Sequence, residues 1–295
     1  MGPLLFLIYI NDLPSCLNSG HCVLFADDTT FSVQNVDYRT LETSAGEMQS
    51  TANDWFKGNN LVLNVDKTQQ MVFSLRDVPD QTFPQDSVRF LGVHLDQKLK
   101  WDSHIEYLLG KMKSGIFVLR NLKDTVSDDV LRMTYYAVIH SLLSYAIVAW
   151  GHAAECYRVF SLQRRAIRIL SNLGYRDDCR GGFISLNILT FPSIYILETL
   201  LFVRNNIDMY PTNLHIHSLD TRGKELLTIP ALRLSKSQNG PNYLGIKFFN
   251  KLPPEVRHLE PKQFKRWVHG FLARHPFYSV AEFLNTKLEC DLKRL

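Results

Sequence analysis

Apolar positions follow two different rhythms along the chain, and the change of rhythm falls near Trp101. Before it, short apolar runs alternate with helical stripes. Leu4, Leu5 and Ile8 share one face of a helix that Pro3 can open and that Asn11, Asp12 and Pro14 end. Val23 to Phe31 has an apolar run on each side of Asp27-Asp28, which predicts a β-hairpin over residues 22–32 with both carboxylates at its tip. Leu41, Ala45, Met48, Ala52 and Trp55 or Phe56 predict a helix, broken by Gly58-Asn59-Asn60. Leu61–Val65 and Gln70–Ser74 predict two strands, with Lys67 at the turn between them. Beyond a polar loop containing Pro79 and Pro84, Val88–Leu95 predicts a further strand, with Gly92 at its centre marking a bulge or a close backbone approach.

From Trp101 the three- and four-residue spacing takes over. Ile105, Leu108, Leu109, Met112, Ile116 and Leu119 form an apolar stripe that leaves Lys111, Lys113 and Arg120 outside it. Ser127, followed by Asp128 and Asp129, suits the start of a long helix reaching toward Trp150-Gly151. Val159–Leu173 predicts a helix with one apolar face and a basic face of Arg164, Arg165 and Arg168. Gly181-Gly182 marks a joint, and Thr190–Val203 predicts a buried helix with Pro192 near its start. Residues 205–263, dotted with Pro211, Pro230, Pro241, Pro253, Pro254 and Pro261, predict a loop-rich segment held by local contacts. Phe264, Val268 and Phe271 or Leu272 give Pro261–Ala273 one apolar helical face, ringed by Lys262, Lys265, Arg266 and Arg274.

Composition narrows the class. In 295 residues, 45% hydrophobic and 21% charged, there is room for a globular core. The formal charge of +4 hides an uneven split: residues 1–97 carry 5 Lys/Arg against 12 Asp/Glu (−7), and residues 98–295 carry 28 against 17 (+11). An acidic segment suited to metal chemistry thus precedes a basic one suited to a polyanion. The apolar start has no basic leader and is interrupted too early for a signal peptide, and Phe6 stands where a myristoylation site needs Ser or Thr. It reads as a cut, because chain termini usually lie at polar surfaces. Met133–Gly151 has no Asp, Glu, Lys or Arg, but Tyr135, Tyr136, His140, Ser141, Ser144 and Tyr145 spread polar groups through it, so a buried helix is expected and no membrane partner. Five scattered cysteines (Cys16, Cys22, Cys156, Cys179, Cys290) indicate neither a disulfide framework nor a zinc knuckle. His152 with Cys156, and His215 with His217, lack a second ligand pair. An intracellular protein, nuclear or cytoplasmic, is the expectation.

The most pointed chemistry is the acidic pair. Adjacent carboxylates repel unless a cation lies between them, so Asp27 and Asp28 suggest a hard divalent ion such as Mg²⁺; a solvated surface turn accounts for the same residues when they are taken alone. Taken in order, the motifs resemble the reverse transcriptases of non-long-terminal-repeat retrotransposons, of the jockey-like or long-interspersed-element kind. Gly2-Pro3-Leu4-Leu5-Phe6-Leu7-Ile8-Tyr9-Ile10-Asn11-Asp12-Leu13-Pro14 resembles the helix after that family's template-contacting turn, and Phe25-Ala26-Asp27-Asp28 its aromatic-x-Asp-Asp hairpin. Trp55-Phe56, Asn59-Asn60-Leu61, Leu63-Asn64 and Lys67-Thr68 are similar to the next motif. Phe90-Leu91-Gly92-Val93-His94-Leu95, with Trp101 and His104, resembles the primer-gripping hairpin and the approach to the thumb.

The resemblance implies an α+β chain: a partial right-hand polymerase palm over residues 1–97 (helix, β-hairpin with an Asp-Asp tip, helix, strands), an α-helical thumb over 98–175, and a mostly helical, loop-rich, basic carboxy-terminal region over 176–295. It implies RNA-templated nucleotidyl transfer by two Mg²⁺ ions, with an RNA template, a DNA primer and deoxynucleotides as partners. Asp27 would be the main metal ligand and Asp28 a supporting one, Phe25 would sit against the primer terminus or nucleotide, and Lys67 would serve the departing pyrophosphate. Leu91 and Gly92 would approach the primer backbone, and Lys111, Lys113, Arg120, Arg164, Arg165 and Arg168 would contact phosphates. The family's earlier palm Asp and its fingers would lie upstream of residue 1, so the expectation is a fragment inactive alone. A non-enzymatic nucleic-acid-binding remnant of such an element is the alternative.

Overall fold

The structure is a computed structural model that describes residues 1–17, 20–76, 87–214 and 223–288. The chain divides into two compact units, Met1–Val88 and Arg89–Leu295. Helix dominates, with two small two-stranded sheets, an architecture compatible with the α+β class.

In the first unit, helix α1 (Gly2–Ile10) has Pro3 in its first turn, where a missing N–H loses no helical bond. A 3₁₀ turn, Leu13–Cys16, follows. Strands β1 (His21–Phe25) and β2 (Asp28–Ser32) form an antiparallel hairpin. Helix α2 (Tyr38–Gly58) starts on Asp37, whose carboxylate accepts from the Thr40 backbone N–H at 2.9 Å, a bond that lowers the Asp37 pKa. The core here is small: Ile10, Leu13, Ala52 and Phe56, with Phe6, Leu24, Phe31, Trp55 and Leu61 partly buried around them.

Strand β3 (Ser87–Phe90) spans the boundary after Val88, and in the second unit β4 (Val93–Asp96) leads into helix α3 (Asp102–Leu122). The carboxylate of Asp96 accepts from the backbone N–H groups of Lys100 at 2.8 Å and Trp101 at 2.6 Å, holding the turn that feeds α3. Then come α4 (Asp128–Tyr135), a π-helical turn at Tyr136–His140, α5 (Ser141–Ser144), α6 (Ile147–Trp150), α7 (Cys156–Leu170), α8 (Arg180–Ser185) and α9 (Phe191–Asn205). After α9 come α10 (Pro241–Lys251), α11 (Pro261–Arg274) and α12 (Val280–Asn285). Helix α9 is apolar nearly all round, and α5, α6, α7, α10, α11 and α12 all pack on it. Its start is fixed by Thr190, whose hydroxyl donates to the Phe277 carbonyl at 2.6 Å. The buried Gln163 joins three segments: its amide nitrogen donates to Tyr135 Oη and to the Leu189 carbonyl, both at 2.9 Å, and its oxygen accepts from the Phe191 N–H at 2.6 Å.

Several expected elements take a different form. Asp27 lies in the hairpin turn, but Asp28 is the first residue of β2, opposite Phe25, so only one carboxylate occupies the tip. Leu61–Val65 and Gln70–Ser74 are not strands; among the described residues they find no partner strand, and Val65–Lys67 closes into a 3₁₀ turn that the Asn64 side chain caps. The apolar run Val88–Leu95 is a hairpin: Leu91 (φ 44°) and Gly92 (φ 83°) both adopt left-handed backbone, the combination that matches the twist of two adjoining strands. The long helix from Ser127 is interrupted by the π-helical turn and by Ala146 at φ 50°. Residues 241–257 are largely helical, and Ile246, Phe248, Phe249, Leu252 and Val256 belong to the main core. Pro241, Pro254 and Pro261 each open a helix at its first position, where proline is favoured, and do not break it. No helix of the described residues is long and apolar enough to cross a membrane. His215, His217, Cys290, Pro79 and Pro84 lie outside the described residues.

Candidate functional site

The β1–β2 hairpin follows from alternation along each strand. Leu24 and Phe31 point to the small core beneath, while Val23 and Phe25 point away from it. The register sets Phe25 directly opposite Asp28, so this aromatic and this carboxylate project from the same face at the end of the ladder. Phe25 is 62% exposed, and Asp27 and Asp28 are exposed beside it. A large aromatic left exposed beside one carboxylate in the turn and one at the start of β2 contributes nothing to the core where it stands and is free to meet a ligand. Ala26, with φ 52°, adopts left-handed backbone at the first position of the two-residue turn between Phe25 and Asp28.

Asp27 and Asp28 suit a hard divalent cation in kind, as oxygen donors, but not in number. No group of three or more His, Cys, Asp or Glu side chains that could hold a metal gathers among the described residues. Mg²⁺ asks for near-octahedral oxygen ligation, and two carboxylates alone leave most of those positions unfilled. Lys67 ends the 3₁₀ turn Val65–Lys67 and is exposed. The segment after it is tied to α2 by a 2.7 Å bond from Gln70 to Gln49, but no ion pair among the described residues joins Lys67 to Asp27 or Asp28. The first unit therefore holds the acidic pair, Phe25 and Lys67, and brings Phe25 against Asp28.

The remaining candidates lie in the second unit. Leu91 and Gly92 form the β3–β4 turn, where the Tyr145 hydroxyl donates to the Leu91 carbonyl and the Tyr145 ring lies against Gly92. That carbonyl is thus already occupied within the chain. Behind the turn, His104 is buried among His94, Tyr107 and Trp150, and burial first, then His94, pulls its pKa down to about 4.

Lys111, Lys113, Arg120 and Arg165 are exposed on α3 and α7. Arg164 and Arg168 are half-buried: the Arg164 guanidinium lies over the Phe160 ring at 5.1 Å, which leaves its N–H groups free of that contact, and Arg168 Nε is occupied, donating to the Asp177 carbonyl at 3.1 Å. Helices α3 and α7 pack against each other, so the basic residues of both belong to one helical pair. Sequence patterning assigned no role to Tyr157, which lies on the same face of α7 as Ser161 and Arg164 by its spacing and stands 65% exposed. An aromatic four and seven residues ahead of Ser161 and Arg164 was the available signal.

Residues 1–95 match the reverse transcriptase (RNA-dependent DNA polymerase) family. No curated protein and no solved structure matches the chain.

Proposed function

We propose that this chain is part of an RNA-directed DNA polymerase of a non-long-terminal-repeat, jockey-like retrotransposon. Residues 1–97 would contribute palm elements, 98–175 a thumb, and 176–295 a basic carboxy-terminal region. The observation that carries the proposal is the reverse-transcriptase match over residues 1–95, within which Asp27 and Asp28 are presented beside the exposed Phe25.

In this reading the chain's own groups do four things. Asp27, with Asp28 in support, offers carboxylate oxygens to the divalent ions that such nucleotidyl transfer uses when they are bound. Phe25 packs against a base or sugar at the primer terminus, and Lys67 lies within reach of a phosphate leaving group, donating charge or a proton. The exposed cations of α3 and α7 hold the phosphates of a primer–template duplex without reading its sequence. Deoxynucleotides, an RNA template and a DNA primer are the partners. Two carboxylates being too few for the two-ion clamp, the chain by itself transfers no nucleotide.

The test is primer extension on an RNA template with Mg²⁺. The chain alone should give no product. Joined to a palm-and-fingers segment that carries a further Asp, it should extend the primer, and Asp27→Ala should abolish extension, by about a thousandfold or more. Extension by the joined protein that survives Asp27→Ala would remove Asp27 from the site. The second reading, a nucleic-acid-binding protein without catalysis, is favoured by the exposed cations of α3 and α7; it requires that the joined protein bind duplex and extend nothing.

A further inference from the structure

A groove of about 490 Å³ opens between α3 and α7, within the size range of small-ligand sites. Its lining includes Lys113 from α3, Tyr157, Arg158, Ser161 and Arg164 from α7, and Tyr278. Arg158 is neutralised, since its guanidinium pairs with Glu106 and Glu155. Lys113 and Arg164 form no ion pair among the described residues, and the three lining cations Lys113, Arg158 and Arg164 outnumber the paired carboxylates Glu106 and Glu155 by one.

Arg164 is also held in place. Its guanidinium rests over the Phe160 ring at 5.1 Å and the Tyr278 ring at 5.9 Å, and its buried Nε has no hydrogen-bond partner. Tyr278 is itself fixed: its hydroxyl donates to Asp178 at 3.1 Å, and Arg180 covers its ring at 4.2 Å. A cation whose orientation is set before a ligand arrives loses little entropy on binding an anion. Tyr157, by contrast, presents an open aromatic ring at the groove.

We propose that this groove holds one unpaired nucleotide of a single-stranded nucleic acid, with a phosphate on Lys113 and Arg164 and the base stacked on Tyr157. This rests on the reading of the chain as a protein that works on nucleic acid. Single-strand binders combine a cationic groove with aromatic faces on which bases stack, and a concave site suits a base that is free of a partner, whereas paired bases inside a duplex are out of its reach. An acidic peptide would use the two cations but would gain nothing specific from the Tyr157 face.

The test uses the full chain and fluorescence anisotropy with two probes, a labelled oligouridylate of about 12 nucleotides and an RNA–DNA duplex of the same length. Tyr157→Ala, at an exposed site, should weaken oligouridylate binding roughly tenfold, as expected for the loss of one stacked base. Duplex binding should stay within about twofold, Tyr157→Phe should restore the single-strand affinity, and Lys113→Ala should weaken it as well. The proposal is overturned if Tyr157→Ala leaves single-strand binding unchanged, if it weakens strand and duplex equally, or if polyglutamate displaces the oligouridylate as well as unlabelled oligouridylate does. Duplex binding with a single-strand affinity indifferent to Tyr157 overturns the groove alone. A chain that binds neither probe overturns the nucleic-acid reading with it.

Discussion

His104 and Gln163 show how single polar side chains set the second unit's stability. His104 is 1% exposed, and its pKa is pulled from 6.5 to about 4 by burial and by His94. Between those two values the unfolded chain binds a proton that the native chain refuses, so the stabilisation is complete above about pH 6.5 and is lost as pH falls toward 4. Burial moves His140, His152 and His269 in the same direction. Urea midpoints measured from pH 7 to pH 5 should therefore decline steeply in the wild-type chain. In His104→Gln the decline should be shallower by about 2 kcal/mol in unfolding free energy over that range; parallel declines would show that His104 is free to protonate. Gln163 satisfies Tyr135, Leu189 and Phe191 together. Gln163→Leu leaves those buried groups unpaired and should lower stability by about 2–4 kcal/mol in denaturant unfolding. A loss under about 0.5 kcal/mol would mean that the three groups find other partners. Neither role was legible in the sequence, because a buried polar residue is defined by what packs on it from distant segments.

At the level of elements, what the sequence revealed followed from local periodicity. The hairpin carrying Asp27 and Asp28, α2, α3 and α7 each have an apolar face written at a single spacing, and each forms. The strands expected at Leu61–Val65 and Gln70–Ser74 depend on a partner that local sequence does not name. Prolines 241, 254 and 261 suggested loops because proline breaks a helix interior and opens a helix start, and composition alone does not distinguish the two positions. In the candidate site, the hairpin around Asp27 was legible but its register was not, since Asp28 pairs with Phe25 and does not share the tip. At Phe90–Leu95 apolar periodicity suggested one strand and only the family resemblance suggested a hairpin, and the contact of its turn with Tyr145 depends on a distant segment. That turn carries its own prediction. Gly92 has φ 83°, and the nearest atom a Cβ would meet is 3.5 Å away, so a side chain fits in space but not in backbone conformation. Gly92→Val should cost about 1–2 kcal/mol and Gly92→Asn distinctly less, since Asn tolerates left-handed backbone. Equal costs would mean that the turn relaxes to another conformation.

Across the whole molecule the two units differ in how much apolar surface they bury. The second has a continuous core from Val93 to Phe283 organised on α9; the first buries four residues fully in its cluster and leaves Leu4, Leu5 and Ile8 at least 60% exposed. Amide exchange in residues 1–76 should accordingly proceed at least about a hundredfold faster than in α9, with protection in α9 tracking the global stability; uniform protection would contradict a small, weakly held first core. Exposed cations lie on α3 and α7 (Lys111, Lys113, Arg120, Arg165) and also on α11 (Lys262, Lys265, Arg266, Arg274), so the second unit offers basic surface on more than one helix to the proposed polyanion. The measurement that bears most directly on the claim that this chain works on nucleic acid is the affinity of the full chain for an RNA–DNA duplex as a function of salt. About four phosphate contacts predict a logarithmic slope near −3.6, and hence a loss of roughly a hundredfold between 50 and 200 mM salt. A slope near zero, or no binding at 50 mM salt, would contradict it.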